Sequence, residues 1–203
     1  MDPALALIEY DSVAQGILAV DRMLKRSPIA LLKCGTIHPG RYLALVGGTV
    51  ASTEEAWRTG CGAGDVTDDV FLPDPHRDLV AALAEPAAPI PAEAMAILET
   101  TTSPALLRCV DAALKAVPVR LAALRLADDL GGLGLAILTG GLTDLQAALA
   151  VAEGAAGARG RLTGRSLLPR VESMLLDVVA EGTRFAGCRR WVPDGAEILS
   201  GEG

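Results

Sequence analysis

A chain of 203 residues, 51% hydrophobic and 21% charged, has material for more than one small core, and with only 3% aromatics those cores must be built of Ala, Leu, Val and Ile. Its net charge of −7 argues against a phosphate-backbone partner, because binding DNA or RNA asks for a basic surface.

The first predicted element is a strand over Ala4 to Tyr10, a short β-compatible apolar run followed by Asp11-Ser12, which has the chemistry of a helix N-cap. Ile17, Val20, Asp21, Leu24 and Lys25 then fall at helical spacing until Pro28, which cannot continue a helix. Two further apolar runs, Ile29 to Ile37 and Arg41 to Val46, flank His38-Pro39-Gly40, a turn sequence that joins paired strands. After Gly47-Gly48, the run Ser52-Thr53-Glu54-Glu55 predicts a capped, acid-rich start to a helix towards Gly60. Val66 to Leu72 reads as a fourth strand and Pro75 to Leu83 as a short last helix, so the order is βαββαβα.

Glu85 to Pro91 carries three prolines in seven residues and reads as an extended linker. Beyond it the series returns: a strand at Met95 to Glu99, a helix to Lys115, strands near Val119 to Leu126 and Leu133 to Leu138, Gly140-Gly141, a helix from Thr143, a strand at Leu162 to Leu168, and a helix after Pro169. The return is a repeat: Glu9 recurs as Glu99, Asp21 as Asp111, Lys25 as Lys115 and Pro28 as Pro118, each 90 residues on. By Gly48 and Gly140 the offset is 92, which places a two-residue insertion at about Asp128-Asp129. A period this long exceeds the roughly 20 to 50 residues of solenoid units, so each copy is a small domain. The predicted organisation is a first domain over 1–84, a linker over 85–92, a second domain over 93–182 and a C-terminal extension over 183–203. The fold class is α/β in the broad sense, an α+β, ferredoxin-like unit used twice.

Cys34, Cys61, Cys109 and Cys188 form no C-x-x-C pair and read as buried thiols in a reducing compartment. With no basic leader after Met1-Asp2-Pro3 and no apolar run near about 18 residues, a cytoplasmic protein without a membrane span is expected.

Both copies resemble the bacterial microcompartment shell domain, over about residues 4 to 182. The carriers are the opening Ala-Leu-Ala-Leu-Ile-Glu; Asp21-x-x-x-Lys25 and Asp111-x-x-x-Lys115; the loop Thr36-Ile37-His38-Pro39-Gly40 with Leu130-Gly131-Gly132 in the matching place; and Pro73-x-Pro75-His76 with Pro169-Arg170 before the last helices. The resemblance implies a tandem-domain shell protein whose three copies form a six-lobed pseudohexamer that tiles with other shell proteins and passes small metabolites through a central pore. It places Thr36 to Gly40 at the pore with Asp128, Asp129, Leu130, Gly131 and Gly132, and Lys25, Lys115, Arg170 and His76 at the shell edge. Arg170 matches the family's second edge residue, whereas the first copy has Asp74 there.

The loop is nearest to tandem shell proteins of the iron-sulfur type, in which Thr-Ile-Cys-Pro-Gly supplies cluster cysteines; here His38 stands in the cysteine's place. No cofactor is the first expectation. Two alternatives stay open: a metal ion held by three His38 imidazoles on the axis, and a retained iron-sulfur cluster, for which thiolates are the usual ligands. Clustered imidazoles would also make the pore sensitive to pH, and a ring of Asp128 and Asp129 would favour cations. The extension, with Arg184, Phe185, Arg189, Arg190 and Trp191, reads as a segment packed on the trimer, with a flexible peptide as the other reading. No hydrolase, zincin, P-loop or dinucleotide motif is present, so catalysis is not expected. A ferredoxin-like, trimeric, small-molecule-binding regulatory protein is the competing class.

Overall fold

The structure, a computed structural model, describes residues 4–84, 94–127, 129–157, 161–181, 184 and 186. The linker and most of the extension therefore lie outside the described residues, as do Asp128, Phe185, Cys188, Arg189, Arg190 and Trp191.

The first copy runs β1 (Ala4–Tyr10), α1 (Val13–Arg26), β2 (Leu31–Ile37), β3 (Arg41–Gly48), α2 (Val50–Cys61), β4 (Val66–Leu72) and α3 (Arg77–Ala84). The second repeats it as β5 (Ala94–Thr100), α4 (Ser103–Ala116), β6 (Arg120–Leu126), β7 (Gly134–Gly140), α5 (Leu142–Ala155), β8 (Leu162–Leu168) and α6 (Ser173–Glu181). The order βαββαβα is present twice, as the repeat implied.

Local chemistry accounts for the boundaries. Ser12 and Thr102 cap α1 and α4 by accepting from the N–H groups of Gln15 and Ala105, the same geometry 90 residues apart. The predicted start of α2 at Ser52 is corrected. Thr49 is the cap and accepts from Ser52 N–H at 3.2 Å, so Ser52 lies in the first turn and its hydroxyl donates back to the Thr49 carbonyl. Both residues have a capping hydroxyl, and Thr49 directly follows the strand.

Each copy forms a four-stranded antiparallel sheet, ordered β2-β3-β1-β4 and β6-β7-β5-β8. Alternation along β1 sends Ala6, Ile8 and Tyr10 into a core with Ala19, Val20 and Met23 of α1 and Ala56 of α2. Leu5, Leu7 and Glu9 take the other face, where the apolar pair joins Leu106, Leu107 and Val110 of α4 in one core shared by the two domains. Every residue of β1 is consequently buried. Cys109 lies in that shared core, donates to the Ala152 carbonyl at 3.2 Å, and burial pushes its thiol up to about 11, so it acts as a small apolar filler. None of the described helices is long and apolar enough to cross a membrane.

Candidate functional site

The two loops singled out in the sequence meet in the folded chain. The β2–β3 loop closes with Gly40 N–H donating to the Ile37 carbonyl at 2.9 Å, with a cis bond between His38 and Pro39 and Gly40 at φ +92°. Thr36, His38, Pro39 and Gly40 are exposed while Ile37 is buried. The β6–β7 loop winds through Ala127, Asp129, Gly131 and Gly132, all at positive φ, held by bonds from Leu130 N–H to Ala127 and from Leu133 N–H to Leu130. A Cβ on Gly132 would stand 3.0 Å from the His38 carbonyl oxygen and 3.5 Å from Pro39. Glycine is needed there both for its φ and for that approach.

Among the described residues the His38 imidazole has no hydrogen-bond partner, so it is unencumbered at the loop tip. Asp129 is exposed and pairs at 3.2 Å with Arg184 of the extension, a contact that no sequence pattern announced. Exposed pairs of this kind contribute little stability, roughly 0.2–1 kcal/mol, but this one offsets a loop carboxylate.

The four edge candidates fall in two kinds of place. Lys115 pairs with Asp111 at 2.7 Å; the buried Asp111 also accepts the His76 N–H at 2.7 Å, and His76 Nδ1 accepts from Asp78 N–H at 3.2 Å at the start of α3. This cluster sits at the seam between the domains. Lys25 pairs with Asp21 at 2.6 Å at the equivalent place on α1, where both are exposed, and Arg170 is exposed after β8.

Sequence reasoning missed a polar network along the same seam. Glu9, buried in β1, accepts from Arg41 Nη1 at 2.8 Å and from the backbone N–H of Ser103, the first residue of α4, at 3.1 Å. Burial raises its carboxyl above the usual 4.5, opposed by the Ser103 N–H and the Arg41 guanidinium. Asp68 of β4 accepts from the Thr102 hydroxyl at 2.5 Å and from Arg108 at 3.2 Å, and Arg108 also donates to the carbonyls of Asp69 and Ala156. A helix N-terminus aimed at a carboxylate is a favourable arrangement. The one signal in the sequence was a charged residue inside an otherwise apolar strand.

The same surfaces recur elsewhere on the chain, exposed among the described residues. Leu107, Leu114 and Leu79 are 0%, 5% and 0% exposed at the seam; their counterparts Ile17, Leu24 and Leu175 are 54%, 51% and 38% exposed. Glu99, counterpart of Glu9, is exposed on β5, and Asp21 corresponds to Asp111. His76 corresponds to Glu172, whose carbonyl accepts from Leu175 and Leu176 as that of His76 does from Leu79 and Val80. One end of the chain thus displays an α4-like surface and the other end its acceptor.

Comparison with known proteins identifies the two domains. The BMC domain matches residues 4–75 and again 94–171. The bacterial microcompartment shell protein PduT of Citrobacter freundii is 33% identical over 184 residues, covering 90% of this chain and 100% of that protein. The carboxysome assembly protein CcmO of Synechocystis is 30% identical over 186 residues, covering 84% of this chain and 62% of that one. The crystal structure of a microcompartment protein from Desulfitobacterium hafniense superposes with a TM-score of 0.75 at 29% identity, covering 86% of this chain and 98% of that one.

Proposed function

The chain belongs to the BMC-domain family, and we propose that three copies of it close head to tail into a six-lobed ring with the two loops around a central opening. It is a structural shell protein with tandem domains, a component of a bacterial microcompartment shell. The regulatory-protein alternative has no support in this family membership.

The observation that carries the ring is the exposed copy of the internal seam. A surface that docks on a different, complementary surface is heterologous, and repetition of such a contact either closes into a ring or runs on as a filament. Here the internal contact between domains supplies the template for the contact between chains. Burying Ile17, Leu24 and Leu175 against a neighbour removes apolar area worth roughly 1 kcal/mol per half-exposed side chain. In the ring Glu99 would accept from the N-terminus of the neighbour's α1, as Glu9 does from α4, and Asp21 would accept the neighbour's Glu172 N–H.

A ring of three chains brings three His38 and three Gly132 loops around one axis, and a conduit for small polar molecules is the function this supports. Three imidazoles are a nitrogen donor set suited to a single divalent ion. They do not fit an iron-sulfur cluster, whose usual ligands are thiolates, because no cysteine stands in the 36–40 loop. Lys25 and Arg170, exposed on the chain, are assigned to contacts with neighbouring shell proteins, with Lys115 and His76 at the corresponding corner of the seam. No catalysis is assigned.

The test is the mass of the native particle with and without Ile17→Glu. Three chains reduced to one by that substitution supports the ring; a particle that is a single chain before any substitution refutes it.

A further inference from the structure

Between the outer face of the first sheet and the second domain lies a cavity of about 250 Å³. Leu7, Leu43 and Leu45 of the sheet, Leu83 of α3 and Leu126 of β6 form its apolar walls, while Lys33 of β2, paired with Leu45 on the same face, brings an ammonium to it. A Cβ built on Gly35 meets nothing within 4 Å, so the space exists because position 35 has no side chain. The space is a half-open cleft, and Lys33 at its rim is exposed.

The second domain does not repeat its lining. Gly35 faces Leu43 across β2 and β3, and its counterpart facing Leu135 is Arg125; Lys33 faces Leu45, and its counterpart facing Ile137 is Ala123. Where the first copy has open space beside a lysine, the second carries an arginine side chain beside a methyl. Two halves alike in the order and pairing of their strands differ here in both size and charge, and among the described residues Lys33 has no ion-pair partner. An ammonium without a carboxylate, on a chain of net charge −7, next to a leucine-lined space, is the chemistry that recognises a short apolar tail ending in an anionic group.

We infer that this cavity is a binding site for a small amphipathic anion of the short-chain carboxylate class, the carboxylate meeting Lys33 and the tail lying among Leu7, Leu43, Leu45, Leu83 and Leu126. The site is complete within one chain. It therefore occurs once per chain, three times in the proposed ring, and does not rest on the ring.

The experiment is a calorimetric and ligand-observed NMR titration of the full-length native protein with butyrate, beside acetate, 1-butanol and butylamine. Butyrate is expected to saturate one site per chain, with acetate, lacking the tail, and butanol, lacking the charge, each at least about tenfold weaker, and with butylamine not binding. Lys33→Glu changes an exposed side chain on which folding does not depend, and it is expected to abolish butyrate binding; Gly35→Leu fills the space and is expected to do the same. Failure of butyrate to bind overturns the inference, as does binding unchanged by Lys33→Glu, or butylamine binding as well as butyrate. Particle mass on the same samples reads the ring separately, so failure of one is distinguishable from failure of the other.

Discussion

Asp111 and Asp21 occupy the same helical position in the two copies, and one substitution at each should give two different phenotypes. Asp111 is buried and accepts both the His76 N–H and the Lys115 ammonium at 2.7 Å. Asp111→Ala leaves a seam N–H without its acceptor, a loss of about 1–3 kcal/mol, while the partly exposed ion pair adds at most about 1 kcal/mol. Taking about 2 kcal/mol and about 2–4 °C per kcal/mol for a chain of this length, the Tm should fall by roughly 4–8 °C. Asp111→Asn keeps an oxygen acceptor and should recover most of it. Asp21 in the single chain makes only an exposed contact with Lys25, worth about 0.3–0.5 kcal/mol. Its loss should leave the folded chain almost untouched but weaken each ring contact by about 2 kcal/mol, near 30-fold in dissociation constant. Calorimetry at one fixed protein concentration reads the first effect, and a dilution series in mass photometry reads the second. An Asp21→Ala ring that survives dilution like the parent would refute the equivalence of seam and ring contact, and an Asp111→Ala protein melting within a degree of the parent would refute the role given to the seam.

Three more outcomes are expected. Gly132→Ala should lower stability by more than the roughly 1 kcal/mol of positive-φ strain that Gly131→Ala shares, because its methyl meets the His38 carbonyl; equal urea midpoints for the two variants would contradict the loop contact. Glu9 binds its proton more tightly folded than unfolded, so its contribution is fully present below pH 4.5 and is lost as pH rises through the raised folded value. Urea unfolding against pH should therefore show a downward slope above pH 4.5 that Glu9→Gln lacks. His38→Ala should change the rate of solute permeation through assembled shells, since the exposed imidazole is placed at the proposed opening; a rate identical to the parent's would remove His38 from the conduit.

Much of the fold was legible because the duplication prints each signal twice. Asp11-Ser12 precedes a helix, Pro28 and Pro118 both follow one, and the apolar run from Ala4 to Tyr10 reads as a strand. The start of α2 was not legible, since Thr49 and Ser52 offer the same hydroxyl and only the end of β3 decides between them. The two loops stood out as a pattern, but their contact through Gly132 was not legible, because it joins positions 38 and 132. The Glu9, Asp68 and Arg108 network was hidden for the same reason: each residue is ordinary alone, and only the docking of α4 on the first sheet brings them together. Neither could Gly35 be distinguished from a strand glycine of no consequence until the cavity beside it was seen.

The central claim is that the seam inside one chain is reused between chains. Cryo-electron microscopy of the native particle viewed along its axis tests it most directly: the prediction is a three-chain, six-lobed ring with residues 36–40 and 129–132 around the opening and α1 of each chain on the next chain's second sheet. A lone monomer, or a ring in which those loops lie on the outer perimeter, would contradict it.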